Sequence, residues 1–484
     1  MSLSSTLIRN ATLLDGTGAA STQADVAIHD GHIHSVGPAL HFAADHVLDA
    51  EGLALAPGFI DVHTHDDIAV LGRPAMLPKL SQGVTTVIVG NCGISASPAT
   101  LRGNPPDPMN LLGDAAAFRY PTFAAYVEAV QQAQPAINVA ALVGHTALRN
   151  NHMDRLDRVA TDAEVAAMRA QLADALAHGA LGLSSGLAYL SANAASTAEV
   201  LSLAQPLAAA GAVYVTHMRT EGDAILDAME EAFVIGGQSH VPVILSHLKC
   251  AGIANWGRSG EVLQALEAAR SAQPAACDCY PYAAGSSTLD LRQVDPRVEI
   301  TITWSTPHPE VAGQSLAQIA QSWSTSQLDA ARRLQPAGAI YHSLHEDDMR
   351  RILAHPATMI GSDGLPNDPR PHPRLWGTFP RVLGRYTREE KLFSLPEAIR
   401  KMTSMPAQRF GLAGRGILRE GFHADLVLFD PARVRDTATF ADPVQPAQGI
   451  RSVWVNGQLA YTALGATGHR AGRFLPRART QWVQ

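Results

Sequence analysis

Two histidines that stand two residues apart, His63 and His65, close an apolar run that begins at Gly58. If the run is a β-strand, both imidazoles point to one face, because side chains alternate along a strand. Ring nitrogens that converge in this way bind divalent metals of the zinc type. A His-x-His pair also occurs in wet loops without any ligand, so the pair indicates a metal centre only together with other residues.

Four further side chains that can bind a metal follow apolar runs with β propensity. Alone, a buried thiol is usually a small hydrophobic residue, and an Asp at a strand end often caps a helix. Together with the histidine pair they would bring imidazoles from three strands, a thiolate and a carboxylate to one rim. The sequence therefore predicts a metal centre built on His63, His65 and four later residues: Cys92, His217, His247 and Asp363.

The elements that must position these residues are repeated β-α units. Apolar β-rich runs alternate with alanine-rich helical stretches such as Asp162 to His178 and Ala198 to Ala210. Eight strands predict a closed (β/α)8 TIM-like barrel of the α/β class, in which the chemistry lies at the carboxyl ends of the strands. The predicted strands are Phe59 to His65, Thr85 to Asn91, Val139 to Gly144, Ala180 to Ser184, Val213 to His217, Val243 to His247, Ala276 to Tyr280 and Met359 to Asp363.

Both ends of the sequence have a different pattern, in which short β-prone runs alternate with turn pairs. We predict one small β-sandwich domain composed of residues 1–57 and 411–484, with the catalytic barrel over residues 58–410. Roughly eighty residues separate the last two barrel strands, which is longer than an ordinary crossover. We therefore expect an insertion over residues 284–342 that forms a flap over the mouth of the barrel.

Composition excludes several classes of partner. The formal net charge of −7 provides no basic field for nucleic acid, and no apolar run is long enough to span a membrane. The first eighteen residues lack the pattern of a secretion signal, and four cysteines are too few for a disulfide framework. We expect a cytoplasmic enzyme with a small-molecule substrate; the sequence specifies no oligomeric state.

The arrangement of these residues resembles the amidohydrolase superfamily over nearly the whole chain. The resemblance implies a metal-centred barrel with a composite β-domain, and in many members a carboxylated lysine on the fourth strand bridges two metals. Here the fourth strand region, residues 179–188, contains no lysine. In the D-aminoacylase branch a cysteine from the second strand does this work, within a segment similar to Gly90 to Ser95. Three other segments also resemble that branch: Gly144 to Arg149, Gly182 to Leu187 and Tyr280 to Tyr282.

For the reaction, the resemblance implies hydrolysis of N-acyl-D-amino acids. It also implies a tightly held zinc on Cys92, His217 and His247, with a weaker second site around His63, His65 and Asp363. Asp363 would take the proton of the attacking water and deliver it to the departing amine. Its alternative role is that of a metal ligand or of a cap for the following loop.

The substrate carboxylate needs a cationic partner, and Arg374 matches the position of a carboxylate-binding arginine in the family. The alternative is that Arg374 is a surface charge of a proline-rich loop. Arg292 is the candidate partner of a second carboxylate, which would make N-acyl-D-glutamate the substrate. If Arg292 instead pairs with Asp290 or Asp295 on the outside, a broad enzyme for neutral substrates such as N-acyl-D-methionine or N-acyl-D-leucine is expected. The other predicted substrate contacts are Lys249, Tyr280, Tyr282, Ser286 and His145.

Two other functions remain open for this sequence. A cyclic amidase or deaminase of the same superfamily would share the barrel and most ligands, but Cys92 and the missing strand lysine count against it. A non-catalytic scaffold of this fold would be expected to have lost ligands, whereas here every ligand position is filled.

Overall fold

A computed structural model of the protein describes residues 4–478. The chain begins with short strands separated by tight turns, as the turn pairs Asp15-Gly16 and Asp30-Gly31 predict. These strands are β1 (Thr6–Leu13), β2 (Thr22–His29), β3 (His32–Gly37), β4 (His46–Asp49) and β5 (Ala54–Pro57).

The next part of the chain alternates strands and helices, and its strands run parallel to one another. Leu142 interrupts the third strand, which therefore has two parts. The strands are β6 (Phe59–Asp61), β7 (Val84–Val89), β8 (Asn138–Ala141), β9 (Val143–Gly144), β10 (Gly182–Gly186), β11 (Val213–His217), β12 (Val243–Leu245) and β13 (Ala275–Cys279).

A separate antiparallel sheet follows β13. Its strands are β14 (Gly285–Thr288), β15 (Ile300–Ser305) and β16 (Ala337–Tyr341), in the order β14-β16-β15. This sheet has its own apolar core, which includes Ile302 and Leu316. The chain then returns to the parallel strands with β17 (Thr358–Ile360), which pairs with β13.

A parallel bridge between Thr64 and Gly364 joins the first and last of the parallel strands, so that the sheet closes into a barrel. Because successive side chains of a strand point to opposite faces, each strand directs every second residue into the barrel. One apolar cluster inside the barrel contains Ile60, Ile88, Ile244 and Met359. The predicted (β/α)8 barrel with a small β-domain is confirmed.

Four strands near the other end complete the β-domain: β18 (Leu426–Phe429), β19 (Ile450–Val455), β20 (Gln458–Thr462) and β21 (Gly465–Ala466). They join the first strands through the pairing of β18 with β5. On β18, Leu426 and Leu428 pack into the core of this domain, whereas Val427 and Phe429 pack towards the barrel. This alternation attaches the sheet to the barrel.

Helices connect the strands and cover the outside of the barrel. Within residues 4–478 no helix combines the length and the apolar character needed to cross a membrane. A π-helix over Val382–Glu389 continues α13. The α-helices are α1 (Ala69–Gly72), α2 (Leu77–Leu80), α3 (Phe123–Ala133), α4 (His145–His152), α5 (Asp162–Ala177), α6 (Leu190–Asn193), α7 (Thr197–Ala210), α8 (Ile225–Ser239), α9 (Ser259–Arg270), α10 (Leu316–Ser322), α11 (Gln327–Leu334), α12 (Glu346–Ala354), α13 (Arg374–Arg381), α14 (Leu395–Met402) and α15 (Ser404–Phe410).

Candidate metal centre and active site

The six predicted ligand side chains meet at the carboxyl ends of the barrel strands. The Cys92 Sγ atom lies 3.2 Å from His63 Nε2 and 3.3 Å from His247 Nε2. Two groups of potential ligands share this sulfur: one adds His63, His65 and Asp363, and the other adds His217 and His247. Within each group the donor atoms lie within 4.8 Å of one another. Cys92 therefore occupies the corner where two metal sites would meet.

The donor set fits zinc. Ligand atoms bound at 2.0–2.3 Å in a tetrahedral site stand about 3.3–3.8 Å apart, close to the distances from Cys92 Sγ. Soft sulfur and imidazole favour zinc over magnesium or calcium. In addition, the Nδ1 atom of His217 is buried and has no hydrogen-bond partner among the described residues, and the Nε2 atom of His65 lies 3.2 Å from Asp363 Oδ1.

Charges around the centre keep the acidic ligands ionised. Burial opposes ionisation of the Cys92 thiol, but His63 and His247 outweigh it and hold the pKa of the thiol well below its usual value. Burial likewise opposes ionisation of Asp363, and here Arg374 and His65 outweigh it, so that the pKa of the carboxyl is well below its usual value. The surroundings therefore favour the anionic forms of both groups, the forms in which a thiol and a carboxyl bind metals.

Three of the candidate ligands have left-handed backbone conformations. The φ angle is 54° at Cys92, 35° at His247 and 49° at Asp363. Residues with a Cβ rarely adopt positive φ, and such conformations concentrate at functional sites where the surroundings enforce them. The turn at the end of each strand thus directs the ligand towards the centre of the mouth.

Two acidic residues that the sequence analysis did not single out contact the ligand histidines. Asp278 Oδ2 lies 3.3 Å from His63 Nδ1, and its Oδ1 accepts a 2.9 Å hydrogen bond from the backbone of His247. Glu221 Oε1 lies 2.9 Å from His247 Nδ1. Carboxylates in such positions orient metal-binding imidazoles. The available signals were the end of the seventh strand for Asp278 and the four-residue spacing from His217 for Glu221.

A buried lysine supports the centre from behind. Lys79, on α2, is fully buried, and its Nζ lies 2.7 Å from Asp61 Oδ2 and 3.1 Å from Asp66 Oδ2. It also donates to the hydroxyls of Thr64 and Ser362. Asp61, Thr64 and Asp66 flank His63 and His65 in the sequence, and Ser362 immediately precedes Asp363. Lys79 therefore joins the two strands that carry three of the candidate ligands.

A cavity of about 540 Å³ opens beside the metal centre. Besides Arg292, its lining includes three of the predicted substrate contacts, Lys249, Tyr280 and Ser286, together with His65 and Asp363. The Lys249 Nζ is 2.6 Å from Glu221 Oε1, so this cation is already paired. The structure thus places these three predicted contacts beside the candidate metal centre.

Arg374 is fully buried, which excludes the alternative of a surface charge, and it contacts residues of the cavity lining without belonging to the lining. Its Nη1 is 2.9 Å from Asp363 Oδ2, and its Nη2 donates to the Ser286 carbonyl at 3.0 Å. The guanidinium also lies 4.6 Å from the centre of the Tyr280 ring. Arg374 therefore connects the predicted carboxylate clamp to Asp363.

Two predicted substrate contacts point elsewhere and are corrected. His145 is the first residue of α4, and its Nε2 faces Glu199 on α7 at 2.9 Å, where Arg149 binds the same carboxylate. Tyr282 belongs to one apolar cluster with Tyr280 and Leu344, and its backbone N–H donates to the Tyr280 carbonyl at 3.0 Å. Its ring packs against Arg381, 4.6 Å from the guanidinium. Neither side chain belongs to the lining of the cavity.

Arg292 lies at the mouth of the cavity with its side chain half exposed. Its Nη2 is 2.6 Å from Asp290 Oδ2 and donates to the Ala188 carbonyl at 3.0 Å. The pairing with Asp290 is the one that the sequence analysis kept as an alternative. The pair is accessible to solvent, and both residues also line the cavity.

A closed parallel barrel with metal-capable residues at its strand ends, joined to a β-domain from both ends of the chain, defines a class of metal-dependent hydrolases. The chain belongs to the amidohydrolase family, whose family model matches residues 46–461. The predicted resemblance is confirmed.

Three curated proteins from Alcaligenes xylosoxydans xylosoxydans are similar to this chain over nearly its whole length. D-aminoacylase is 49% identical over 97% of this chain and 97% of its own length. N-acyl-D-aspartate deacylase is 48% identical over 99% and 96%, and N-acyl-D-glutamate deacylase is 46% identical over 97% and 96%. Two of these names specify a deacylase of an N-acyl-D-amino acid, and the third is D-aminoacylase.

Solved structures agree with this grouping. A crystal structure of D-aminoacylase superposes with a TM-score of 0.96 at 48% identity, covering 98% of this chain and 99% of that one. N-acyl-D-glutamate deacylase from Bordetella bronchiseptica, complexed with zinc and a phosphonate inhibitor, gives 0.94 at 44% identity, covering 97% and 99%. L-hydantoinase from Arthrobacter aurescens, at 17% identity and 0.61, covers 98% and 100% and shares the fold alone.

Proposed function

We propose that the protein is a zinc-dependent hydrolase that cleaves the amide bond of N-acyl-D-amino acids and releases a carboxylate and a free D-amino acid. The observation that carries the proposal is the position of Cys92 at the corner shared by two ligand groups, while β10 contains no lysine. The relatives that share this arrangement over the whole chain support the substrate class. A cyclic amidase, a deaminase and a scaffold are less well supported on the same grounds.

Cys92, His217 and His247 would hold the tight zinc, and His63, His65 and Asp363 would form the second site with Cys92. When bound, zinc supplies a Lewis acid for the amide carbonyl and for water. Asp363 accepts the proton of the attacking water at a carboxylate oxygen and returns it to the departing amine. Arg374 holds the other oxygen of the same carboxylate and fixes its orientation.

The α-carboxylate of the substrate binds at the inner wall of the cavity. Lys249 supplies positive charge at this wall, and the buried Arg374 contacts the wall residues Asp363, Ser286 and Tyr280. The hydroxyls of Tyr280 and Ser286 are buried and have no hydrogen-bond partner among residues 4–478. Buried hydroxyls are costly to leave unpaired, so they indicate a ligand with acceptor oxygens. A carboxylate satisfies this description.

With four free cysteines among the described residues, we keep the cytoplasm as the proposed location.

The test compares hydrolysis of paired D- and L-forms of several N-acetyl amino acids by the zinc-loaded protein. We expect turnover of the D-forms that disappears after chelation and returns with zinc. Equal rates on both enantiomers would contradict the proposed substrate class. Activity that survives complete zinc removal would contradict the proposed cofactor.

For the substrate side chain, we propose that Arg292 receives a second carboxylate, as in N-acyl-D-glutamate. Asp290 and the Ala188 carbonyl engage its Nε and Nη2 atoms and so fix the plane of the guanidinium at the mouth. A fixed guanidinium recognises carboxylates with defined geometry.

Arg292→Met should therefore lower kcat/KM on N-acetyl-D-glutamate about tenfold relative to N-acetyl-D-methionine. Arg297→Met is the matched control, because Arg297 pairs with Asp295 at the same 2.6 Å and the same spacing but does not line the cavity. If the ratio of the two substrates is unchanged in the Arg292 variant, Arg292 is structural and neutral D-amino acids are the preferred substrates.

A further inference from the structure

The loop that carries Cys92 has an unusual backbone. The φ angles are 79° at Gly90, 54° at Cys92 and 75° at Gly93. Glycine adopts such angles freely, but a cysteine does so only when its surroundings hold it there, because Cβ crowds the backbone. The direction of the thiolate therefore depends on whatever restrains this loop.

The restraint comes from the fourth barrel strand, β10. The hydroxyl of Ser184 donates to the Gly90 carbonyl at 2.5 Å and accepts from the Gly93 backbone N–H at 3.1 Å. One fully buried side chain thus bonds to the backbone on both sides of Cys92. Further along the strand the contact is closer still, because a Cβ at Gly186 would lie 2.1 Å from the Cys92 carbonyl oxygen.

These contacts connect two features of the sequence. The fourth strand contains no lysine, and the anionic ligand comes from the second strand in its place. The fourth strand supplies instead the hydroxyl that spans the loop of that ligand. Its small residues also allow the loop to lie directly on the strand.

We propose that Ser184 is a positioning residue for the metal centre. Its hydroxyl fixes the backbone of residues 90–93 so that the Cys92 sulfur stays within 3.3 Å of the nearest nitrogens of His63 and His247. This inference rests on the proposed role of Cys92 as a metal ligand.

The test compares Ser184→Ala with Ser185→Ala. Ser185 is a suitable control because it is equally buried on the same strand and also makes two hydrogen bonds, at 2.8 Å, to the hydroxyls of Tyr214 and Thr216. Two properties are measured without substrate. One is zinc affinity by competition with a chelator, and the other is the thiolate-to-metal charge-transfer band of the cobalt-substituted protein.

Ser184→Ala should weaken zinc binding by about tenfold to a hundredfold, which is typical for residues that orient metal ligands. It should also shift or weaken the charge-transfer band. Ser185→Ala should lower the melting temperature to a similar extent but leave affinity and band unchanged. Unchanged zinc affinity in Ser184→Ala, or equal losses in both variants, would overturn the proposal.

Cys92→Ala, measured in parallel, separates this inference from the proposed function. If Cys92→Ala retains tight zinc, the ligand role itself is wrong. If Cys92→Ala loses zinc while Ser184→Ala binds it normally, only the positioning role of Ser184 is wrong.

Discussion

At the scale of single residues, Asp363 connects the two halves of the proposed site. Its Oδ1 lies 3.2 Å from His65 Nε2, on the side of the metal centre, and its Oδ2 lies 2.9 Å from Arg374 Nη1, on the side of the carboxylate clamp. It belongs to the ligand group of His63 and His65 but not to the group of Cys92, His217 and His247. Its removal should therefore affect proton transfer more than tight metal binding.

Asp363→Asn should retain the tight zinc but lose kcat by on the order of a hundredfold or more, because an amide cannot accept the proton of water. Zinc content and kcat are measured on the same preparation. Asp368→Asn serves as control, since Asp368 is buried five residues further on, outside both ligand groups, and burial raises its pKa to about 7. Loss of zinc from the Asp363 variant with little change in rate per bound zinc would make Asp363 a ligand and not the proton shuttle.

At the scale of elements, the sheet of β14, β15 and β16 distinguishes this barrel from a simple one. Residues of β14, from Gly285 to Thr288, line the cavity, and so does Tyr341 of β16. The remainder of the segment forms a separate apolar core, so it folds against itself and not into the barrel. We therefore retain residues 284–342 as the proposed flap over the mouth.

Replacing residues 290–336 by a short glycine-serine turn should raise KM and lower kcat. The reason is that a flap closes over the bound substrate and excludes water from the reaction. Zinc content is the internal control, since every proposed ligand lies outside the deleted segment. A shortened protein with unchanged KM and kcat would show that the segment has no such role.

At the scale of the whole molecule, a buried polar cluster joins the β-domain to the barrel. Asp425, just before β18, forms an ion pair with Arg415 and accepts hydrogen bonds from the Asn456 backbone at 2.7 Å and from Asn138 Nδ2 at 3.1 Å. Asn138 is the first residue of barrel strand β8. The two parts of the fold therefore share one set of buried hydrogen bonds.

Asp425→Ala should lower the free energy of unfolding by about 3 kcal/mol, because it leaves a buried guanidinium and two buried donors without their acceptor. The control is Asp430→Ala, at the residue that follows β18. This change removes only the hydrogen bond from the Ala432 backbone N–H and a 3.8 Å ion pair with the exposed Arg433. It should lower the free energy of unfolding by at most about 1 kcal/mol. Thermal or chemical unfolding measures both. Equal effects would mean that the cluster does not hold the two parts together.

The sequence by itself determined the barrel and the candidate ligands that end its strands. Residues at the carboxyl ends of parallel barrel strands converge, and this convergence does not depend on the connecting loops. It made these candidates predictable: His63, His65, Cys92, His217 and Asp363. Alternation along each strand then indicates which side chains share a face. Local pattern and barrel geometry were sufficient for this part of the site.

Only the tertiary structure decided how the surrounding side chains pair. Strand position marked Asp278, and the spacing from His217 marked Glu221, but neither signal identified a partner, and Lys79 had no such signal. The partners of all three residues are brought near by folding and not by local spacing. Conversely, His145 and Tyr282 matched the expected positions, yet a helix start and a turn direct them away from the cavity. Side-chain direction in loops depends on packing between distant segments, and that packing exists only in the folded chain.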